Sequence, residues 1–419
     1  MPTRRRHRLA MLGMLPLLGA CGLGTAPPRQ TLHVRLVPNE ELDWLQDDYR
    51  DGQTWEPLLE AFRRLHPNVD VQISTAAEST LAAKLQRDTD RGLGPDLLLV
   101  RSTVAIALLD RGLVEPLPRG EPVQSALELL KPADRRRVSG SRGMAGLPVF
   151  NEVSLACYDR RRISRPPTTL TELLAQAASG QPIGMAADPV GLWWTAGALG
   201  AHEVLEPVIT GHPKGKPAPV NGGMRLHAWL TWLRQAALQS RVDVANSQRE
   251  LTEGLESGRL AWVPCYSLTL HRLDRTMGQH LGVAPLPGGP AGGPSPFTAM
   301  RVLALGVNSS PQQRRLALEL AALSLNPLVQ RDLTLRSRMV LPSNRYVAMP
   351  VASSGRLAAL AEAEGQFVGS AQFLSQPFSA DQVHRAQPAI EAVTGKVMSG
   401  MQTPEQGAAA LERLASHKP

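Results

Sequence analysis

The chain has 419 residues, of which 43% are hydrophobic and 20% charged, a balance that suits a packed globular protein and excludes a mainly disordered one. Its 36 glycines and 35 prolines follow no fixed period, which excludes collagen. The net charge of +8 rests heavily on Arg4, Arg5, Arg6 and Arg8; without them 41 basic residues face 37 acidic ones, too small an excess for a dedicated nucleic-acid surface.

In chain order, residues 1–8 are arginine-rich and residues 9–20 form a short apolar run. That run is too short for a bilayer, which needs about 20 residues. A basic start, a short apolar core and small residues at its end make residues 1–20 a secretory signal. Leu18-Gly19-Ala20-Cys21 resembles the bacterial lipobox, in which the cysteine thiol takes a diacylglyceryl group and the chain is cut before it. Cys21 is the expected lipidation site, and residues 21–30 a lipidated tether. The expected place is the periplasmic side of the bacterial inner membrane, or the cell surface. Arg5-Arg6 leaves twin-arginine export open beside the general route. Cys157 and Cys265 are too few for a disulfide framework or a metal cluster. Export permits a bond between them; two separate buried thiols is the other reading, and sequence does not give their distance.

From residue 31 the pattern alternates strand and helix. Strands are expected at 31–37, 69–75 and 96–100, and helices at 54–66, 79–91 and 104–111. Trp55, Leu58, Leu59, Phe62 and Leu65 recur at helical spacing, and His66-Pro67-Asn68 ends that helix. This order predicts a doubly wound sheet, whose ligands bind beyond the carboxyl ends of the strands. The loops 38–54, 75–80 and 101–104 are therefore the ones to watch. A second α/β unit follows. Its strands are expected at 153–158, 182–186, 260–263 and 281–285, and its helices at 169–178, 190–199 and 225–238. A Gly/Pro-rich loop at 285–296 leads to a strand at 300–307 and a helix at 311–323, and residues 380–414 read as helical.

Several segments resemble the bacterial extracellular solute-binding proteins of family 1, the maltose-binding-protein-like group. They are Leu59-Glu60-Ala61-Phe62 with His66-Pro67-Asn68-Val69, then Gly94-Pro95-Asp96-Leu97, then Gly112-Leu113-Val114-Glu115-Pro116-Leu117. Gly146-Leu147-Pro148 with Leu155-Ala156-Cys157-Tyr158-Asp159, and Pro166-Pro167-Thr168-Thr169-Leu170, form the most specific match. Gly258-Arg259-Leu260-Ala261-Trp262 and Val283-Ala284-Pro285-Leu286-Pro287 complete the order. The resemblance implies an α/β, two-lobed periplasmic-binding-protein fold of type II, with discontinuous lobes around a hinge and ligand cleft. Lobe 1 would take 31–149 plus 300–347, and lobe 2 would take 152–297 plus 350–419, with crossovers near 148–152, 297–300 and 347–350. It also implies a monomeric capture subunit of an ABC importer, partnered by permease subunits and held to the membrane by its lipid, with no cofactor or metal.

No G-x-S-x-G, H-E-x-x-H, P-loop or dinucleotide motif is present, so no enzymatic chemistry is expected. A sugar site asks for aromatic rings against the apolar faces of a pyranose, and for carboxylates, amides or arginines at its hydroxyls. Trp193 and Trp194 follow a strand and open a helix, where adjacent residues point about 100° apart, so one of the two should face the ligand. Trp44 lies among acids in the first loop, Glu78 and Arg101 end the second and third strands, and Tyr266 ends a strand of the second unit. Phe150, Asn151 and Glu152 mark the first crossover and Phe297 the second. Trp55, Trp229 and Trp232 lie on apolar helix faces and belong to the core. The expected ligand is a small carbohydrate or glycosylated polyol. The alternatives are an anion such as glycerol 3-phosphate, held by Arg101 or Arg345, and a cell-surface carbohydrate-active enzyme.

Overall fold

A computed structural model describes residues 30–38, 55–210, 220–297, 299–368 and 379–416. The signal segment, Cys21 and Trp44 lie outside the described residues.

One sheet contains β1 (Gln30–Leu36), β2 (Val69–Thr75), β3 (Leu97–Arg101), β4 (Val114–Glu115), β7 (Leu147–Asn151), β13 (Met300–Gly306) and β14 (Leu341–Pro342); β5 (Ser139–Gly140) and β6 (Gly143–Met144) form a small hairpin. Its strand order is β14-β7-β13-β3-β1-β2, with β4 beside β13. A second sheet has the order β10-β9-β11-β8-β12, from β8 (Ser154–Asp159), β9 (Ile183–Ala186), β10 (Val242–Ala245), β11 (Trp262–Tyr266) and β12 (Leu281–Ala284). Both sheets are mixed. β1, β2 and β3 run parallel, as do β9, β10 and β11, while β13 runs against its neighbours β3 and β7, and β8 runs against its neighbours β11 and β12. The physical reason is the chain path. β13 and β8 each enter their sheet from the end where the chain crosses over, which is the end where the parallel strands finish.

Period-two alternation sorts the first sheet's side chains. Leu32, Val34, Leu36, Leu97, Leu99, Leu303 and Leu305 face one way, onto Leu58, Leu59 and Phe62 of the helix Glu56–Leu65 and onto Leu316 and Leu320 of Pro311–Leu323. Leu98, Val100, Val302 and Ala304 face the other, onto Leu81 and Leu85 of Glu78–Asp90 and the apolar run of Ser102–Asp110. In the second sheet, Tyr158 and Trp262 face a core built with Trp193, Trp194, Trp229, Trp232 and Leu411. Trp55, at 3% exposure, is buried in the first core, and Trp229 and Trp232 are buried in the second, as their spacing predicts.

The chain passes between the sheets three times: through Glu152 and Val153, from β12 to β13, and after Pro342 into the helix Gly355–Val368. That helix and Pro327–Ser337 are additional to the expected elements. The expected C-terminal helical stretch is two helices, Ala380–Ser399 and Pro404–Ser416. They are separated at Gly400, whose φ of 82° favours glycine. Cys157 and Cys265 form a disulfide with Cα atoms 5.8 Å apart. Cys265 pairs in register with Leu155 and Cys157 with Val263, so the bond runs diagonally across β8 and β11. Among the described residues no helix is long and apolar enough to cross a membrane.

Candidate ligand-binding site

The carboxyl ends of β1, β2 and β3 gather charge. Glu78 opens the helix after β2 and Arg101 ends β3; the Arg101 Nε lies 2.9 Å from the Glu78 carboxylate, and a second guanidinium nitrogen completes the pair. On the neighbouring strand Arg301 pairs in register with Arg101, so the two side chains leave one face of the sheet. The Arg301 guanidinium donates to Glu152 and, at 2.7 Å, to the Val37 carbonyl just beyond β1. Arg301 is fully buried and Glu152 is 1% exposed. A charge that deep is tolerated because the Glu152 carboxylate and a carbonyl accept its hydrogen bonds.

Phe150, one residue upstream of Asn151, is packed in the first core. Asn151 is also buried. Its side-chain oxygen accepts from Arg137 at 3.3 Å, and its amide nitrogen donates to Asp134 at 3.4 Å. Burial pushes Arg137 below the ordinary guanidinium value, and the adjacent Asp134 opposes that shift. The first crossover thus carries Asn151 and Glu152 as parts of polar networks within the protein.

The second sheet provides a pocket at the ends of β9 and β11 and the start of β8. Trp194, Tyr266 and Phe297 supply rings, Gln248 and Ser154 supply polar groups, and Leu286 supplies an apolar wall. Each side chain has a local cause. Asp188 caps the helix Pro189–Ala198 by accepting from Gly191 N at 2.8 Å, which sets the helix directly beyond β9. Gly191 must be glycine, because a Cβ there would stand 2.4 Å from that of Ala186. Trp194 then faces the pocket and packs on Trp262 and Trp232, with ring centroids 6.0 and 6.5 Å away. Trp193, 2% exposed, lies against Phe297 at 4.9 Å. Ser154 Oγ donates to the Phe297 carbonyl at 2.9 Å, and Gln248 Nε2 donates to the Pro264 carbonyl at 3.1 Å. Cys265 and its disulfide back the same wall. The enclosed volume is about 20 Å³, the space of one water molecule, and Trp194 is 3% exposed, so of these rings only Tyr266 and Phe297 keep partly exposed faces for a ligand.

The residues expected at the site therefore fall into two groups. Trp194, Tyr266 and Phe297 come together in the pocket, with Trp193 behind Phe297. Glu78 and Arg101 pair with each other, Glu152 pairs with Arg301, and Phe150 and Asn151 are interior. Sequence reasoning missed Ser154, Gln248 and Arg301. Gln248 follows β10, a strand that was not expected, and the rule of carboxyl ends reaches it once that strand is seen. Arg301 had a signal in the sequence: it is the one charged residue in the apolar run of β13.

A family model for bacterial extracellular solute-binding proteins matches residues 58–362. The chain belongs to this family of solute-binding proteins. Among solved structures, the GacH receptor of Streptomyces glaucescens GLA.O, determined unliganded and with acarbose and an acarbose homolog, is similar. It matches with a TM-score of 0.69 at 17% identity, covering 93% of this chain and 99% of that one. A cyclo/maltodextrin-binding protein complexed with maltotetraose matches with a TM-score of 0.65 at 16% identity, covering 93% and 97%. At these identities the likeness shows the two-lobed fold. No curated protein matches the sequence.

Proposed function

We propose that the protein is the substrate-binding lipoprotein of an ABC importer, capturing a small carbohydrate or glycosylated polyol between its lobes and delivering it to the permease. The division is 31–149 plus 300–347 against 152–297 plus 350–419. The observation that carries this reading is the pocket where Trp194, Tyr266 and Phe297 lie beside Gln248 and Ser154 at strand ends. Rings suit pyranose C–H faces, and the amide and hydroxyl suit sugar hydroxyls. The sugar complexes of the structural neighbours support the ligand class. Trp44, which lies outside the described residues, is the proposed ligand contact from lobe 1.

A glycerol-3-phosphate-like anion is the second reading, and Arg101 is its natural partner. Arg101 is already paired with Glu78, so an anion there would have to displace a carboxylate. A surface carbohydrate-active enzyme is the third. It would turn over an oligosaccharide that the binding protein returns unchanged. The deciding experiment is a thermal-shift screen of the mature protein against sugars, glycosylated polyols and phosphate esters. A ligand at 100 times its Kd stabilises by about 2.7 kcal/mol. Stabilisation by sugars or glycosylated polyols supports the reading, while stabilisation by phosphate esters alone defeats it.

Anchoring is part of the same proposal. Acylation of Cys21 would hold the protein at the periplasmic side of the inner membrane as a monomer, with several acyl chains because one binds weakly. A Cys21→Ala chain should leave the membrane fraction; a wild-type chain without lipid on Cys21 would refute the anchor.

A further inference from the structure

We infer that the protein carries a second binding site, an oxyanion site of the phosphate class walled by Arg160, Arg338 and Arg356. These three arginines line one cavity of about 370 Å³ with Asp274 and Ser354, beside Leu281 and Val283 of the edge strand β12. That volume holds a phosphate, a sulfate or a phosphorylated headgroup with its hydration water.

The site is separate from the aromatic pocket. Ser154, which lines that pocket, begins β8, and Arg160 follows the last residue of the same strand. Six residues of strand place the two about 20 Å apart.

Charge identifies the ligand. Arg356 is held by Asp274 in a two-pronged pair. Among the described residues neither the Arg160 nor the Arg338 guanidinium has a carboxylate partner. Three guanidiniums and one carboxylate leave an excess of two positive charges, the complement of a phosphate dianion. Guanidiniums also match oxyanion geometry with paired N–H donors. The 14-residue helix Gly355–Val368 starts at the cavity, so its first N–H groups add positive potential in the same place.

Backbone conformation adds an independent observation. Arg338 ends the helix Pro327–Ser337 in the left-handed region, with φ 52° and ψ 28°. Glycine is the residue that position favours. The chain instead keeps an arginine there, and that residue lines the cavity, so the strain has a use if its guanidinium holds a ligand. Arg338 lies on a helix packed against the first sheet's β14, whereas Arg160 and Asp274 belong to the second unit. A bound oxyanion would tie the two together behind the hinge.

The test is isothermal titration of the mature protein with inorganic phosphate and with sulfate, in phosphate-free buffer. Wild type should bind. Arg160→Gln and Arg338→Gly should each raise Kd about tenfold, a change of about 1.4 kcal/mol, and the double variant should show no binding. Arg338→Gly should keep or raise Tm, because glycine suits the left-handed position, so lost binding is not lost folding. Affinity for any sugar found by the screen should be unchanged in both variants. Silence of the wild type toward both anions at about 10 mM would overturn the proposal, as would equal phosphate binding by all variants. Phosphatidylglycerol vesicles with the Cys21→Ala chain separate the sources. Co-sedimentation that the double variant loses assigns a lipid headgroup, and phosphate binding without co-sedimentation assigns a soluble anion.

Discussion

Glu152 stands on the first segment by which the chain crosses between its sheets, Arg301 is the second residue of β13, just after the second crossing, and they form an ion pair with almost no solvent contact. Arg301 also holds the Val37 carbonyl, so one guanidinium joins both crossings to the end of β1. In a binding protein that closes like a hinge, such a point fixes where bending is not free to occur.

Breaking this pair from one side should be costly. Arg301→Met leaves Glu152 buried without its partner, and a loss of about 3–5 kcal/mol is expected. Adding Glu152→Leu to that variant should recover part of the loss, because both charges are then gone. Urea denaturation of the single and double variants reads this directly. A double variant as damaged as the sum of the singles would show that the pair is not energetically linked.

The pocket's rings should separate into binding and structural ones. Tyr266→Ala removes a half-buried ring from the pocket wall and should weaken sugar binding by about 1–3 kcal/mol, or tenfold to a hundredfold, with a smaller effect on folding. Trp193→Ala empties a site buried against Phe297 and should cost about 3–5 kcal/mol of stability. Calorimetric titration and thermal melts of both variants, with Trp194→Ala beside them, distinguish the roles. Unchanged affinity in Tyr266→Ala and Trp194→Ala would rule out stacking from this side.

The Cys157–Cys265 disulfide closes a loop with a sequence separation of 108 residues. Chain-entropy arguments give about 4–5 kcal/mol for a loop of that size, with measured losses of about 2–5. Equilibrium unfolding with and without reductant should show a loss in this range. The same loss should appear in a Cys157→Ala/Cys265→Ala variant without reductant.

Stability should also fall on mild acidification. Burial lowers the pKa of His202 and of His33 below the ordinary 6.5, against the pull of Glu203 on the first and of Asp96 and Asp88 on the second. The unfolded chain then binds more protons than the folded one once the pH drops below about 6.5. These histidines therefore favour folding fully above that value, and their contribution is lost as the pH falls towards their folded pKa values. A His202→Gln variant should show a flatter dependence of Tm on pH between about 5 and 7 than wild type. Parallel profiles would remove His202 from the account.

The sequence by itself determined the local structure. Periodicity placed the helix Glu56–Leu65 and the strands β1, β2 and β3 to within a residue or two, because burying one face demands a fixed spacing whatever the partner is. Carboxyl-end logic and ordered motifs also reached the family and brought Trp194, Tyr266 and Phe297 under consideration. Tertiary structure decided everything that depends on a neighbour distant in sequence. Trp193 and Trp194 are adjacent and chemically equal, and only packing puts one behind Phe297 and the other on the pocket. Glu78 and Arg101 are each plausible ligand contacts until the sheet aligns them as partners 23 residues apart. Cys157 and Cys265 pair because β8 and β11 lie side by side, and Arg301 meets Glu152 across 149 residues. Spacing along a chain encodes which face a residue is on. It does not encode what that face meets, since that depends on the register and order of strands that come together only in the folded protein.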